Sequence, residues 1–167
     1  MKGTGGGKTS ARNYGLQRLL IFLFFTTGSV LSQLISSVTY LPENVQPVLL
    51  ICAFTFGIVL ILSASVLGIA LLPMCAFAFG WLFGEYAEIA VESFKFGAGL
   101  DVKGLMLSAV VVPIFFIVSV RGMYTSEMLG SMLDNCNASA RAEYNKAYIP
   151  IAAAAVAGML AVYFILS

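Results

Sequence analysis

The forty residues Val45–Gly84, VQPVLLICAFTFGIVLILSASVLGIALLPMCAFAFGWLFG, contain no charged side chain. An α-helix rises about 1.5 Å per residue, so a single straight helix of this run would reach about 60 Å, twice the roughly 30 Å hydrocarbon core of a bilayer. The run therefore predicts two passes, or one pass and a re-entrant piece. The expected break is Gly68-Ile69-Ala70-Leu71-Leu72-Pro73, where glycine loosens a helix and proline cannot continue it. No charge marks that turn, so a very short connection is expected, near the membrane interface or covered by protein.

Three further apolar runs flank this one. Leu19–Val38 is twenty residues without a charge, Gly104–Val120 is seventeen, and Ala147–Ser167 is the last. Leu19–Val38 exceeds the roughly 7–15 residues of a cleavable signal core, and no A-x-A-like site follows it. It reads as an uncleaved first span. Met1–Tyr14 is basic and rich in Gly, Ser and Thr, so residues 1–16 are expected to be a disordered tail and 17–167 the helical bundle. Leu41-Pro42-Glu43-Asn44 has the composition of a turn.

The composition agrees. Of 167 residues, 60% are hydrophobic and 10% charged, against about 25% charged in a soluble domain. Mean hydropathy is +0.96. The expected fold class is all-α, a multi-pass bundle of about five transmembrane helices in a bacterial cytoplasmic membrane. Orientation follows from the excess of Lys and Arg on the cytoplasmic side. With five spans and the N-terminus inside, seven basic residues lie inside and two, Lys95 and Lys103, outside; four spans give six against three. Five spans with a cytoplasmic N-terminus fit better.

The chemistry expected of the chain is sparse. There is no His, the commonest general base and metal ligand. Cys52, Cys75 and Cys136 are scattered and form neither a C-x-x-C nor a disulfide framework, so they read as small hydrophobes. Lys2-Gly3-Thr4-Gly5-Gly6-Gly7-Lys8-Thr9 resembles a phosphate-binding loop, but Lys2 stands where its first glycine belongs and no strand precedes it. Asp101 and Asp134 fall outside the spans, which removes a paired-aspartate intramembrane protease. No catalytic residue, metal site, cofactor or nucleic-acid partner is expected.

What remains are packing and contact features. Gly80 and Gly84 frame a GxxxG, and Ala154 with Gly158 repeats the spacing in the last span. Small residues four apart let helix backbones approach closely, within the chain or against a partner. Glu85, Glu88 and Glu92 share one helical face and read as the solvated end of a span, beside Trp81 and Tyr86. Met123, Met128 and Met132 form a partial stripe with Tyr124 and Leu129 in the polar stretch after Arg121. It reads equally as a helix on the membrane surface and as a contact face for a partner. Asn137-Ala138-Ser139 is a glycosylation sequon expected to be inert on the inside.

From Phe56 to Val120 the chain resembles the integral membrane family of stage II sporulation protein M. The residues that carry the likeness are Gly68 with Pro73, then Gly80 and Gly84, then Lys103-Gly104-Leu105, then Ser108 to Pro113. The sequence departs from the family where Pro113 is followed by Ile114-Phe115-Phe116 without a second proline, and where the first outer loop is short. The resemblance implies five spans with the N-terminus inside. It also implies a non-enzymatic scaffold that assembles with a membrane-anchored lytic transglycosylase and an amidase, which thin septal peptidoglycan as the forespore is engulfed. The competing expectation is a small transporter or channel subunit, with a discontinuous helix at Gly68–Pro73 and Ser63, Ser65 and Ser108 along the path. The sequence does not fix the oligomeric state.

Overall fold

The computed structural model describes residues 6–35, 45–95, 102–134 and 138–166. They form five helices: α1 (Gly6–Ile35), α2 (Val45–Ser63), α3 (Gly68–Lys95), α4 (Val102–Asp134) and α5 (Ala138–Leu166). No strand occurs among the described residues. Three segments are long and apolar enough to cross a membrane: Gly15–Ile35, Ala109–Met132 and Arg141–Ile165. Two shorter apolar helical segments, Ile51–Ser63 and Gly68–Gly84, lie in the long uncharged run.

The uncharged run does fold back on itself, but not where the glycine and proline predict. The turn is Ala64–Leu67, and α3 starts at Gly68 and continues through Pro73 to Lys95. Pro73 falls in the second helical turn, where the ring removes only the bond to the Ile69 carbonyl; the chain has already reversed before it. Pro113 likewise lies inside α4, which is continuous across it. Neither proline ends a helix.

Two other boundaries differ from the sequence reading. Helix α1 begins at Gly6, within the stretch whose composition predicts a disordered tail. Propagating a formed helix adds one hydrogen bond per residue, so a stable span extends its helix into a weak flank. Helix α4 does not stop at Arg121. Its 33 residues run on to Asp134, so the methionine stripe belongs to the same helix as the preceding span rather than to a separate surface helix.

Helix α4 is the hub: among the described residues it alone touches all four other helices. Helix α1 packs chiefly on α3, and α5 on α4 and α2. The interior is aromatic and branched. Phe79 stacks on Phe115 with ring centroids 4.2 Å apart, and Phe25 meets Phe116 edge-on at 5.0 Å. Phe56, Val59, Leu72, Val118 and Ile151 are buried around them. Cys52 is buried in the same core. The exterior is apolar as well: Leu34 is 75% exposed, Phe164 73% and Ile61 71%. Helices that are apolar all round suit burial in lipid rather than contact with water.

Candidate functional site

Two arrangements position the polar and small residues of the bundle. The first is a backbone-to-backbone contact between α1 and α3. A Cβ added at Gly28 would collide with the Phe77 carbonyl oxygen, one at Gly80 with the Phe25 carbonyl oxygen, and one at Gly84 with Ser29 and Ser32. The residue pairs rise together along both helices, so α1 and α3 run parallel. Gly80 and Gly84 therefore face α1, and Gly28 is the residue opposite that the sequence reading did not single out. Its signal was present only as a small residue between Thr27 and Ser29. Such close approach gains dispersion contacts and weak Cα–H···O bonds where a side chain would hold the backbones apart.

The second arrangement is a polar clamp around the α2–α3 turn. The last carbonyls of α2 and the first amides of α3 have no partner within their helices, and in apolar surroundings each must find one. The turn itself partners most of them, and helix α4 supplies partners for the Ser63 carbonyl and the Ile69 amide. Thr125 Oγ1 donates to the Ser63 carbonyl at 3.1 Å and to the Gly122 carbonyl at 2.9 Å. Ser126 Oγ lies against the Ser65 and Val66 carbonyls, and it accepts the Ile69 amide at 3.1 Å. Tyr148 of α5 donates to the Leu60 carbonyl at 3.3 Å. Within the turn, the Ser65 amide donates to the Leu62 carbonyl and the Gly68 amide to the Ser65 carbonyl. Gly68 is buried, and a Cβ there would strike the Leu62 carbonyl and the Ser126 side chain. Gly122 lets α4 approach Ser63 in the same way.

At the same end, Gln17 of α1 donates from Nε2 to Glu127 Oε2 of α4 at 2.8 Å. Gln17 Oε1 and Ser119 Oγ are buried and, among the described residues, lack a hydrogen-bond partner. Gln17, Thr125, Ser126 and Glu127 were not picked out from sequence. The last three fall in the polar stretch after Arg121, where the charge-free run ends.

The remaining predicted residues are dispersed. Gly158 packs on Phe56 and Ile114, and Ala154 lies partly buried against the core. Met123 is 2% exposed, a core residue rather than a partner contact, because α4 turns it inward. Met128 and Met132 are half-buried. Ser63 donates to the Val59 carbonyl at 2.6 Å, and both Ser63 and Ser65 serve the turn. The side chains of Glu85, Glu88, Glu92, Lys103, Ser108 and Asp134 lie outside the residues described, as do Cys136 and Asn137. No group of three or more Cys, Asp or Glu able to hold a metal occurs among the described residues.

No family model, no curated protein and no solved structure matches this chain.

Proposed function

We propose that this chain is a membrane scaffold without catalysis of its own, a five-span bundle in a bacterial cytoplasmic membrane with its N-terminus inside. The observation that carries the reading is the interior: backbones in contact at Gly28, Gly80 and Gly84, and a turn whose polar groups are held by Thr125 and Ser126. Polar side chains in this bundle are spent on holding helices together. The result is a stiff body with an apolar exterior, suited to presenting fixed surfaces to lipid and to other membrane helices. A transporter built on a helix broken at Gly68–Pro73 has less support, because the chain reverses in the turn just before Gly68 and α3 runs on through Pro73.

The resemblance to stage II sporulation protein M gives the scaffold its cargo: a membrane-anchored lytic transglycosylase and an amidase, held in place during engulfment of the forespore. Met128 and Met132 are the contacts proposed on the α4 side. The test is affinity purification of the tagged chain from membranes of its host, with deletion of its gene in parallel. The reading expects cell-wall hydrolases to co-purify and engulfment to stop. Normal engulfment in a sporulating deletion strain would remove that role. Topology has its own test: Cys136 should label only from the cytoplasm and an Ala90→Cys variant only from outside.

A further inference from the structure

Between α1 and α4 runs a groove of about 680 Å³, within the size range of ligand sites. Arg18 and Arg121 line it together with Phe22, Phe116 and Ile117, and among the described residues no acidic side chain lines it. Phe22 and Phe116 lean together with centroids 6.3 Å apart. The placement of the two arginines is informative. Arg18 immediately precedes the charge-free run Leu19–Val38, and Arg121 immediately follows the charge-free run Gly104–Val120. Two helices thus bring one guanidinium group each to the same end of the groove, above an apolar trough. That is the layout of a phospholipid: an anionic head at the interface and acyl chain below it.

We propose that this groove binds one anionic phospholipid, its phosphate held between the Arg18 and Arg121 guanidinium groups and an acyl chain lying along Phe22, Phe116 and Ile117. Guanidinium groups bind phosphate oxygens in pairs, and basic pockets between membrane helices on the cytoplasmic side select anionic lipids. Arg18 also has a partner within the chain, so Arg121, which is exposed, is the cleaner residue to change. Gly15 lines the same groove, and a Cβ there meets nothing within 4 Å. A large side chain at position 15 would obstruct the groove from a point where its first carbon meets no neighbour.

The inference rests on the membrane reading above but not on the scaffold role. The test is native mass spectrometry of the full chain released from vesicles containing equal phosphatidylglycerol and phosphatidylcholine, after alkaline extraction has established membrane insertion. One phosphatidylglycerol should remain bound, at least tenfold over phosphatidylcholine. Arg121→Gln and Gly15→Trp should each cut its retention about tenfold while the thermal unfolding of the chain is unchanged, and Arg121→Lys should keep part of it. Millimolar inorganic phosphate should not displace the lipid. Equal retention of the two lipids, wild-type retention in both variants, or displacement by inorganic phosphate overturns the lipid site and leaves the scaffold reading standing. A chain that alkaline extraction releases overturns both.

Discussion

Helix α3 is held by two kinds of contact along its length. Toward its middle it lies against α1 with nothing between the backbones but the hydrogen atoms of Gly28, Gly80 and Gly84. At its start it is fastened by hydroxyl groups: Ser126 accepts the Ile69 amide, and Thr125 and Ser126 engage the carbonyls of the turn before it. The glycine contact works by shape, and its energy is many small dispersion terms that vanish together if the backbones are pushed apart. The hydroxyl clamp works by satisfying particular groups, and its energy is divided among separate bonds. The two should therefore fail differently, one abruptly and the other piecemeal.

The abrupt failure is the largest effect expected. Gly80→Leu must drive α1 off α3, because the new side chain begins where the Phe25 carbonyl already is. Overpacking of a filled interior costs about 1–3 kcal/mol and more when backbone blocks relief, so a loss of about 3 kcal/mol or more is expected in reversible unfolding from mixed micelles. A Gly80→Leu chain as stable as the wild type would mean that the helices do not touch at this point.

Removing a single strap of the clamp should cost less. Ser126→Ala leaves the Ser65 carbonyl with only the Gly68 amide as donor and deprives the Ile69 amide of its acceptor, at a buried position. A buried group left without a partner costs about 1–3 kcal/mol, but hydrogen bonds between membrane helices average nearer 0.6 kcal/mol. A loss of about 1 kcal/mol is expected, with faster amide exchange confined to Ser65–Ile69. Exchange spreading evenly over all five helices would show that the clamp is not local.

These two contacts also differ in how far the sequence discloses them. The GxxxG of Gly80 and Gly84 is visible because small residues at a spacing of four have few other uses in an apolar helix. Its partner Gly28 is not visible, because pairing depends on which helix lies alongside. The clamp is hidden for another reason. Arg121 marks a boundary by charge, yet α4 continues for thirteen residues beyond it, and Thr125 and Ser126 of the polar stretch are turned inward by helical geometry. Glycine and proline place the break in the uncharged run at Gly68–Pro73, four to six residues past the observed turn at Ala64–Leu67. Proline signals what the backbone cannot continue in general, whereas a proline in the second turn loses only one bond. The five helices themselves follow from charge-free run lengths, which need no knowledge of neighbours.

A glycine outside the α1–α3 contact gives the comparison its control. Gly57 of α2 has nothing within 4 Å of its Cβ position. Alanine in a helix interior is favoured over glycine by roughly 0.5–1 kcal/mol. Gly57→Ala should therefore raise stability by about 0.5 kcal/mol in the same micelle assay that shows Gly80→Leu collapsing. A destabilised Gly57→Ala chain would mean that glycine is needed throughout the bundle for some reason other than close approach.

The smallest effect is expected where the clamp's logic stops, at Gln17. Its amide donates to Glu127, but its own oxygen is buried without a partner among the described residues, so the pair gains one bond and leaves one group unsatisfied. Glu127 has a further partner of its own and is not stripped when Gln17 goes. Gln17→Met keeps the length of the side chain, removes the orphaned oxygen and leaves Glu127 with its other contact. The two changes nearly cancel, and the shift in unfolding free energy should stay within about 0.5 kcal/mol. A loss above about 2 kcal/mol would place Gln17 with Thr125 and Ser126 as a structural strap.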